Sequence, residues 1–285
     1  MTRTTKTWTT SRRRIPIDRT LVMAIINVTP DSFSDGGAMT NVDDALRRAN
    51  TCIADGAAVL DIGGESTRPG SVRVSIEDEC SRVVPVIEAI VRRFDIPISI
   101  DTSKSEVAER AIDAGAEIIN DISALRFDPR MASVAAERKA GLLLMHSRGE
   151  FETMHSQPPV DDILKDVSVD FRRALASAKE AGVSDDCIVL DIGIGFGKSL
   201  EQNLELLAKL GKLSAEFATY PLLVGTSRKS FIGKLLGDVP VDRRLSGSLA
   251  TATIAVWNGA RIIRAHDVAE TVEAVAIVNG LLRKR

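Results

Sequence analysis

The chain has 285 residues and a formal net charge of −2, with 44% hydrophobic and only 4% aromatic residues. This near balance of charge gives no basis for nucleic-acid binding or for attachment to an anionic membrane. No apolar run approaches the ~18 residues that a membrane span needs. The length suits either two average domains or one large α/β barrel, and the apolar content is sufficient for a sizeable core.

The first fourteen residues are rich in Thr, Arg and Lys and contain no acidic residue. Targeting peptides share that bias, but Ser is scarce here and no amphipathic stretch is visible. A frayed tail or an initial cap strand is the favoured interpretation. We therefore assign residues 1–20 to an N-terminal tail or cap segment.

From residue 21 onward, short apolar strands alternate with longer amphipathic helices. Most strands are continuous apolar runs, as strands covered on both faces require. The predicted strands cover residues 21–27, 58–62, 97–101, 117–121, 141–145, 187–191, 221–225 and 261–264. The predicted helices lie near residues 43–55, 77–93, 105–114, 131–140, 161–181, 201–210, 246–258 and 267–283. The predicted helix stops are Gly56, Gly115, Gly141 and Gly182.

Eight strand–helix units with short connections predict a single (β/α)8 TIM barrel over residues 21–285. A doubly wound open sheet is the alternative. No GxGxxG follows the first strand, which disfavours a dinucleotide-binding sheet. The three cysteines (Cys52, Cys80 and Cys187) are far apart and lack CxxC spacing. They predict reduced, buried thiols in a cytoplasmic protein.

Nearly every predicted strand carries a polar or charged residue at its carboxyl end or within a few residues beyond it. A barrel enzyme carries its chemistry at the carboxyl ends of its strands. A lone Asp there is usually a helix cap or a turn former, and Asp121 fits that interpretation. Many such groups on one rim instead indicate ligand recognition, since buried polar groups without partners are costly. The strand-end residues are Asn27, Asp61, Asp101, Asn120, Asp121, His146, Asp191, Ser227, Lys229, Arg264 and His266.

Two long segments are the most distinctive motifs in the chain. Residues 25–37 read IINVTPDSFSDGG, and residues 61–70 read DIGGESTRPG. Both resemble signatures of the dihydropteroate synthase family. Later segments resemble further motifs of that family: residues 118–123, 144–146, 191–198, 225–233 and 264–268.

The resemblance covers nearly the whole barrel and implies a reaction. The family joins 4-aminobenzoate to 6-hydroxymethyl-7,8-dihydropterin diphosphate, which releases diphosphate and forms dihydropteroate for folate synthesis. Carboxylate and amide oxygens match the N–H edge of a pterin. For Met145 and Phe196, ordinary core packing remains an equal alternative on the residues alone. The implied pterin diphosphate site comprises Thr67, Asp101, Asn120, Met145, Asp191, Phe196, Lys229, Arg264, Ala265 and His266.

The diphosphate needs cations and hydrogen-bond donors, and the resemblance implies Arg68, Arg264 and His266 for that task. Asn27 would supply one oxygen to a Mg2+ ion, which usually keeps several waters beside substrate phosphates. Departure of diphosphate first, giving a pterin cation that the arylamine captures, needs leaving-group stabilisation more than a general base. The implied catalytic residues are Asn27, Thr67, Arg68, Lys229, Arg264 and His266.

The second substrate is expected among loop residues. The implied 4-aminobenzoate site comprises Phe33, Thr67, Pro69, Lys229 and Ser230. Sulfonamides imitate this substrate, so they are expected inhibitors. Family members are commonly homodimers, and the small, apolar helix 246–258 suits close packing between two copies.

Three positions depart from the usual family pattern. Ile192 replaces a Pro after the sixth strand, Ser147 replaces a Met, and Ala265 replaces a Val. None of these changes removes a charged or amide group. Two other functions remain open: a non-catalytic paralogue that binds pterin, and a methyltetrahydrofolate:corrinoid methyltransferase, which would share only the Asp and Asn pterin floor.

Overall fold

The computed structural model of the chain describes residues 6–29, 38–68 and 70–284. Eight parallel strands close into one barrel, in which each strand pairs with the next along the chain and the last pairs with the first. The TIM barrel predicted from the sequence is confirmed. The barrel strands are β3 (Leu21–Asn27), β4 (Val59–Gly63), β5 (Ile98–Asp101), β6 (Ile118–Asp121), β7 (Gly141–Met145), β8 (Ile188–Asp191), β9 (Leu222–Val224) and β10 (Ile262–Ala265).

Helices surround the barrel and bury their apolar faces against it. Ser199 begins one of them with a reciprocal capping box, in which its hydroxyl and the Gln202 side chain satisfy backbone N–H groups. The short helix Leu210–Glu216, which follows the predicted helix 201–210, was not among the predicted elements. The helices are α1 (Ala38–Ala54), α2 (Ile76–Arg93), α3 (Ser105–Ala114), α4 (Met131–Glu137), α5 (Ile163–Glu180), α6 (Leu200–Ala208), α7 (Leu210–Glu216), α8 (Ser230–Leu235), α9 (Leu245–Trp257) and α10 (Val268–Leu282).

A two-stranded antiparallel hairpin precedes the barrel and covers its amino-terminal end. It consists of β1 (Thr7–Thr9) and β2 (Arg14–Pro16). Trp8 is fully buried within a cluster that includes the barrel residues Val59 and Leu143, and its indole N–H donates to the Cys187 carbonyl at 2.9 Å. Within the described part of residues 1–14, the chain therefore forms a cap strand, which is one of the two structures that the sequence left open.

The prediction that Gly141 ends a helix is wrong. Helix α4 ends at Glu137, and Gly141 is the first residue of β7. Lys139 supplies the positive φ, at 51°. A Cβ at position 141 would lie 3.1 Å from both Ile118 Cγ1 and Trp8 Nε1. A side chain there would force its neighbours aside by a few tenths of an ångström, because the hairpin packs closely on the strand. The other three predicted stops, Gly56, Gly115 and Gly182, do have positive φ.

The described residues include no helix with the length and apolar character of a membrane span. Cys52, Cys80 and Cys187 are buried and unpaired, so the prediction of free thiols is confirmed.

Candidate active site

Polar side chains from neighbouring strands meet at the carboxyl-terminal end of the barrel. Asp101 ends β5 and pairs in register with Asn120 of β6. Met145 ends β7 and pairs with Asp191, the last residue of β8. Because the strands are parallel and adjacent, these four predicted pterin residues lie along one continuous arc of the rim.

Arg264 connects that arc to β4 across the barrel mouth. Its Nε donates to Asp61 Oδ2 at 2.6 Å, and one terminal nitrogen donates to Asp101 Oδ2 at 2.7 Å. Asn120 Nδ2 donates to the same Asp61 oxygen at 3.1 Å. Asp61 has no exposed surface, and its buried carboxylate holds both the Arg264 guanidinium and the Asn120 amide in place.

The protonation states of this cluster follow from its burial. Burial raises the pKa of Asp101 to about 7, with Arg264 lowering it and Asp61 raising it. For Arg264, burial lowers the pKa, but Asp61 and Asp101 outweigh burial and raise it above the ordinary value. Arg264 is therefore a permanent cation, while Asp101 titrates near neutral pH when no ligand is bound.

Lys229 lies over the opposite part of the rim. Its ammonium donates to the Ile194 carbonyl and lies 4.5 Å from the centroid of the Phe196 ring. Burial lowers the pKa of Lys229 to about 8, and the Asp191 carboxylate opposes that shift. Lys229 thus stays mostly charged at pH 7 and faces the same space as Asp191.

The loop after β8 carries Phe196 into the site. The Asp191 carboxylate accepts the backbone N–H of Gly193 at 2.8 Å, which joins the strand end to the loop. The Lys198 ammonium donates to the carbonyls of His146, Gly193 and Phe196 at 3.2, 2.7 and 3.1 Å. The sequence placed Lys198 inside a motif but gave it no role.

His266 lies beyond Arg264, on the loop after β10. Its Nδ1 is 3.0 Å from Ser227 Oγ, which also accepts the His266 backbone N–H at 3.1 Å. The Ser227 hydroxyl proton can be donated to Nδ1, which leaves Nε2–H as the donor at the rim. Burial lowers the pKa of His266 to about 3, with Arg264 and Arg228 lowering it further. His266 is therefore a neutral donor in the ligand-free protein.

Thr67 and Arg68 lie apart from the carboxylate cluster. They line a cleft of about 310 Å3 together with Phe151 and His155. His155 Nε2 is 2.7 Å from the Thr67 carbonyl and must be the donor. The Arg68 side chain is exposed and makes no ion pair with the described residues. Phe33 and Pro69 fall outside the described residues.

Asn27 ends β3 and pairs in register with Gly63. Its half-buried side chain makes no hydrogen bond within the described ranges. No group of three or more His, Cys, Asp or Glu side chains there is arranged to hold a metal. A single free amide oxygen fits a Mg2+ ion that takes its other ligands from phosphate and water. It does not fit a metal centre built from protein ligands alone.

The arrangement agrees with the match to known proteins. Residues 23–266 match the family described as pterin binding enzyme. Over 263 residues the chain is 50% identical to the dihydropteroate synthase of Escherichia coli K12, covering 92% of this chain and 91% of that protein. The chain belongs to the dihydropteroate synthase family. Its activity is that of a transferase of folate biosynthesis.

Solved structures of dihydropteroate synthases share the fold closely. The Yersinia pestis enzyme, crystallised with a sulfonamide drug, is 45% identical with a TM-score of 0.90, and the match covers 98% of this chain and 100% of that chain. The Xanthomonas albilineans enzyme with 4-aminobenzoic acid is 40% identical with a TM-score of 0.91, covering 98% and 99%.

Ile192 and Ser147, which both depart from the usual dihydropteroate synthase pattern, are buried. Ile192 is fully buried. Ser147 is also buried; its hydroxyl donates to the Ile122 carbonyl at 2.7 Å and accepts from Arg126 at 2.8 Å. Ser147 is thus occupied by internal partners.

Asp121 accepts three hydrogen bonds from Ser123 and Leu125, so it forms a turn as expected.

Proposed function

We propose that the chain condenses 6-hydroxymethyl-7,8-dihydropterin diphosphate with 4-aminobenzoate at this rim. The observation that carries the proposal is the Arg264 bridge between Asp61 and Asp101, with Asn120 held beside it. It combines a permanent cation with hydrogen-bond acceptors in one buried place. A pterin joined to a diphosphate has both the N–H edge and the negative charge that such a place recognises.

Pterin recognition is assigned to Asp101, Asn120 and Asp191. The Asn120 amide nitrogen is already used by Asp61, so its oxygen remains to accept a pterin N–H. Asp101 exchanges its hydrogen bond with Arg264 for pterin donors, and Asp61 keeps the guanidinium in place. The released terminal nitrogen of Arg264 then turns to the ring or the diphosphate.

The apolar faces and the carbonyl side of the pterin are assigned to a second group of residues. Met145 and Phe196 supply contact with the ring faces, and Lys229 donates to the pterin carbonyl. Lys229 must leave the Ile194 carbonyl to do so. Ala265 contributes its backbone beside the ring, between Arg264 and His266.

The leaving group is assigned to Arg68, Arg264 and His266, with Thr67 as a further donor. Arg264 supplies a permanent charge, and His266 donates through Nε2–H. Asn27 would hold a Mg2+ ion, which supplies charge neutralisation to the diphosphate when bound. Stabilising the departing diphosphate lets the C–O bond of the pterin CH2 break first.

The 4-aminobenzoate amine then attacks that CH2 carbon and loses one proton. The electrons of the broken C–O bond leave with diphosphate, so the reaction needs no oxidant. Capture of a stabilised cation requires no strong base, in keeping with a rim that lacks a catalytic triad among its described residues. The aminobenzoate site is assigned to Phe33, Thr67, Pro69, Lys229 and Ser230.

Three further properties belong to the proposal. Sulfonamides compete with 4-aminobenzoate. The protein is a cytoplasmic homodimer, with residues 1–20 as a cap segment on a barrel of residues 21–285. Exposed Ile254 and Ile277 on neighbouring helices α9 and α10 support the dimer, as does the absence of charged residues from Leu245 to Trp257.

The test is diphosphate release from 6-hydroxymethyl-7,8-dihydropterin diphosphate with Mg2+, with and without 4-aminobenzoate. Release accompanied by dihydropteroate supports the proposal. Tight pterin binding without turnover would favour a non-catalytic paralogue, and methyl transfer to a corrinoid protein would favour the methyltransferase. Lys229→Ala should abolish turnover, whereas Lys234→Ala, an exposed residue of the helix that follows Lys229, should not.

A further inference from the structure

The loop after β8 folds around the ammonium group of one of its own residues, Lys198. Lys198 donates to the carbonyls of His146, Gly193 and Phe196. No carboxylate of the described residues forms a salt bridge with it. Backbone carbonyls, and not a directly paired carboxylate, therefore hold the ammonium group within the loop.

The backbone of the loop is shaped for this closure. Gly193, Gly195 and Gly197 all have positive φ, at 60°, 85° and 70°. A Cβ at position 193 would collide with the His146 carbonyl oxygen, so that turn is available only to glycine. The alternating turns direct the carbonyls of residues 193 and 196 towards Lys198, while the Ile194 carbonyl accepts from Lys229.

The same loop presents two groups of the proposed pterin site. The Gly193 N–H fixes one oxygen of Asp191, and the Phe196 ring lies beneath Lys229. When Lys229 leaves the Ile194 carbonyl for the pterin, the loop loses one of its two ammonium contacts. Lys198 remains to hold it.

We propose that Lys198 is a positioning residue for the pterin site, which holds the loop of residues 192–198 so that Phe196 and Asp191 meet the substrate. It touches no substrate itself and acts through those two side chains. The inference rests on the proposed function, because it assumes that pterin binds against Phe196.

The charge of Lys198 is sensitive to pH. Burial lowers its pKa to about 7; Lys229 and Arg148 lower it further, and Asp191 and Asp166 raise it. A neutral amine has two N–H donors for three carbonyls. The hold on the loop is therefore complete below neutral pH and weakens as pH rises through the pKa.

A double-mutant cycle tests the inference with 6-hydroxymethylpterin as the probe, its affinity measured by calorimetry. Lys198→Met is combined with Phe196→Leu, and separately with Asp101→Asn, which lies on β5 away from the loop. We expect Lys198→Met to weaken binding about tenfold. Because Lys198 acts partly through Phe196, Phe196→Leu should add less than its full effect to that loss, whereas Asp101→Asn should add its full effect.

Additive losses in both cycles would overturn the inference, because a merely structural lysine has no special coupling to Phe196. Unchanged binding in Lys198→Met would also overturn it. If Phe196→Leu and Asp101→Asn each leave binding intact, the proposed pterin site itself is wrong. If the methionine variant does not unfold cooperatively, Lys198→Gln, which keeps two donors, goes through the same cycles with the same criteria.

Discussion

Arg264 Nε lies 2.6 Å from Oδ2 of Asp61, a carboxylate with no exposed surface. The two residues are far apart in the chain and come from strands β10 and β4, which flank β3 in the barrel. Asp61 also accepts from Asn120. One buried carboxylate thus orients a residue assigned to the diphosphate and a residue assigned to the pterin.

Asp61→Asn is expected to destabilise the protein more than Asp101→Asn. Removing one partner of a buried ion pair typically costs about 3 kcal/mol, because the other charge is left uncompensated. The Asp101 side chain is 18% exposed. Its loss therefore costs less, because Arg264 keeps its ion pair with the fully buried Asp61. Urea denaturation of the two variants measures the difference, and equal midpoints would contradict the assigned anchor role.

The barrel could be predicted because each strand is buried on both faces. Short, mostly apolar runs located all eight strands to within one residue at either end. Helix α7 was missed because seven residues are too short to show a helical period. Gly141 was misassigned because its neighbour Trp8 comes from the distant hairpin.

The sequence predicts which polar residues lie at the strand ends, but not the hydrogen bonds that join them. The sequence placed Asp61 at a strand end and gave it no role, because its partners Arg264 and Asn120 depend on strand order and side-chain direction. Lys198 gave no signal beyond its motif. His155 was missed entirely, since its contact with the Thr67 carbonyl joins two loops of unrelated sequence.

Acid should destabilise the protein through His146. Burial lowers the pKa of His146 to about 3, with Lys198 lowering it further and Asp166 opposing. In the unfolded chain this side chain takes up a proton near pH 6.5. The stability that the neutral His146 side chain contributes is therefore fully present above that pH. It is lost as the pH falls towards the pKa of His146 in the folded protein.

The matched comparison is His146→Gln, which has no titrating group at this position. Between about pH 6 and pH 4, the unfolding free energy of the wild type should fall by about 1.4 kcal/mol per pH unit relative to the variant. Asp101, with its raised pKa, opposes the trend in both proteins and cancels in the difference. Parallel curves from denaturation at each pH would exclude the effect.

Asn27→Ala should raise the Mg2+ concentration needed for half-maximal turnover by about tenfold. The reason is that the variant loses the single protein oxygen assigned to the ion, while diphosphate and water still supply the others. Binding of 6-hydroxymethylpterin, which carries no phosphate, should be unchanged. A Mg2+ titration of turnover measures the shift, and identical titration curves would remove Asn27 from the metal site.

A sulfonamide should raise the KM for 4-aminobenzoate and leave the limiting rate unchanged. Both molecules carry an arylamine opposite an acidic group, so they require the same donors. Initial rates over a range of both concentrations distinguish competition from other modes. Inhibition that 4-aminobenzoate cannot relieve would place the drug elsewhere.

Ile254→Glu and Ile277→Lys should each dissociate the proposed dimer. These side chains are 49% and 68% exposed on helices α9 and α10, which pack together, and a buried charge without a partner is costly at an apolar interface. Val169→Lys is the matched control, since Val169 is 59% exposed on the distant helix α5. Sedimentation equilibrium measures the mass. A wild type that sediments as a monomer, or variants that remain dimers, would contradict this surface as the interface.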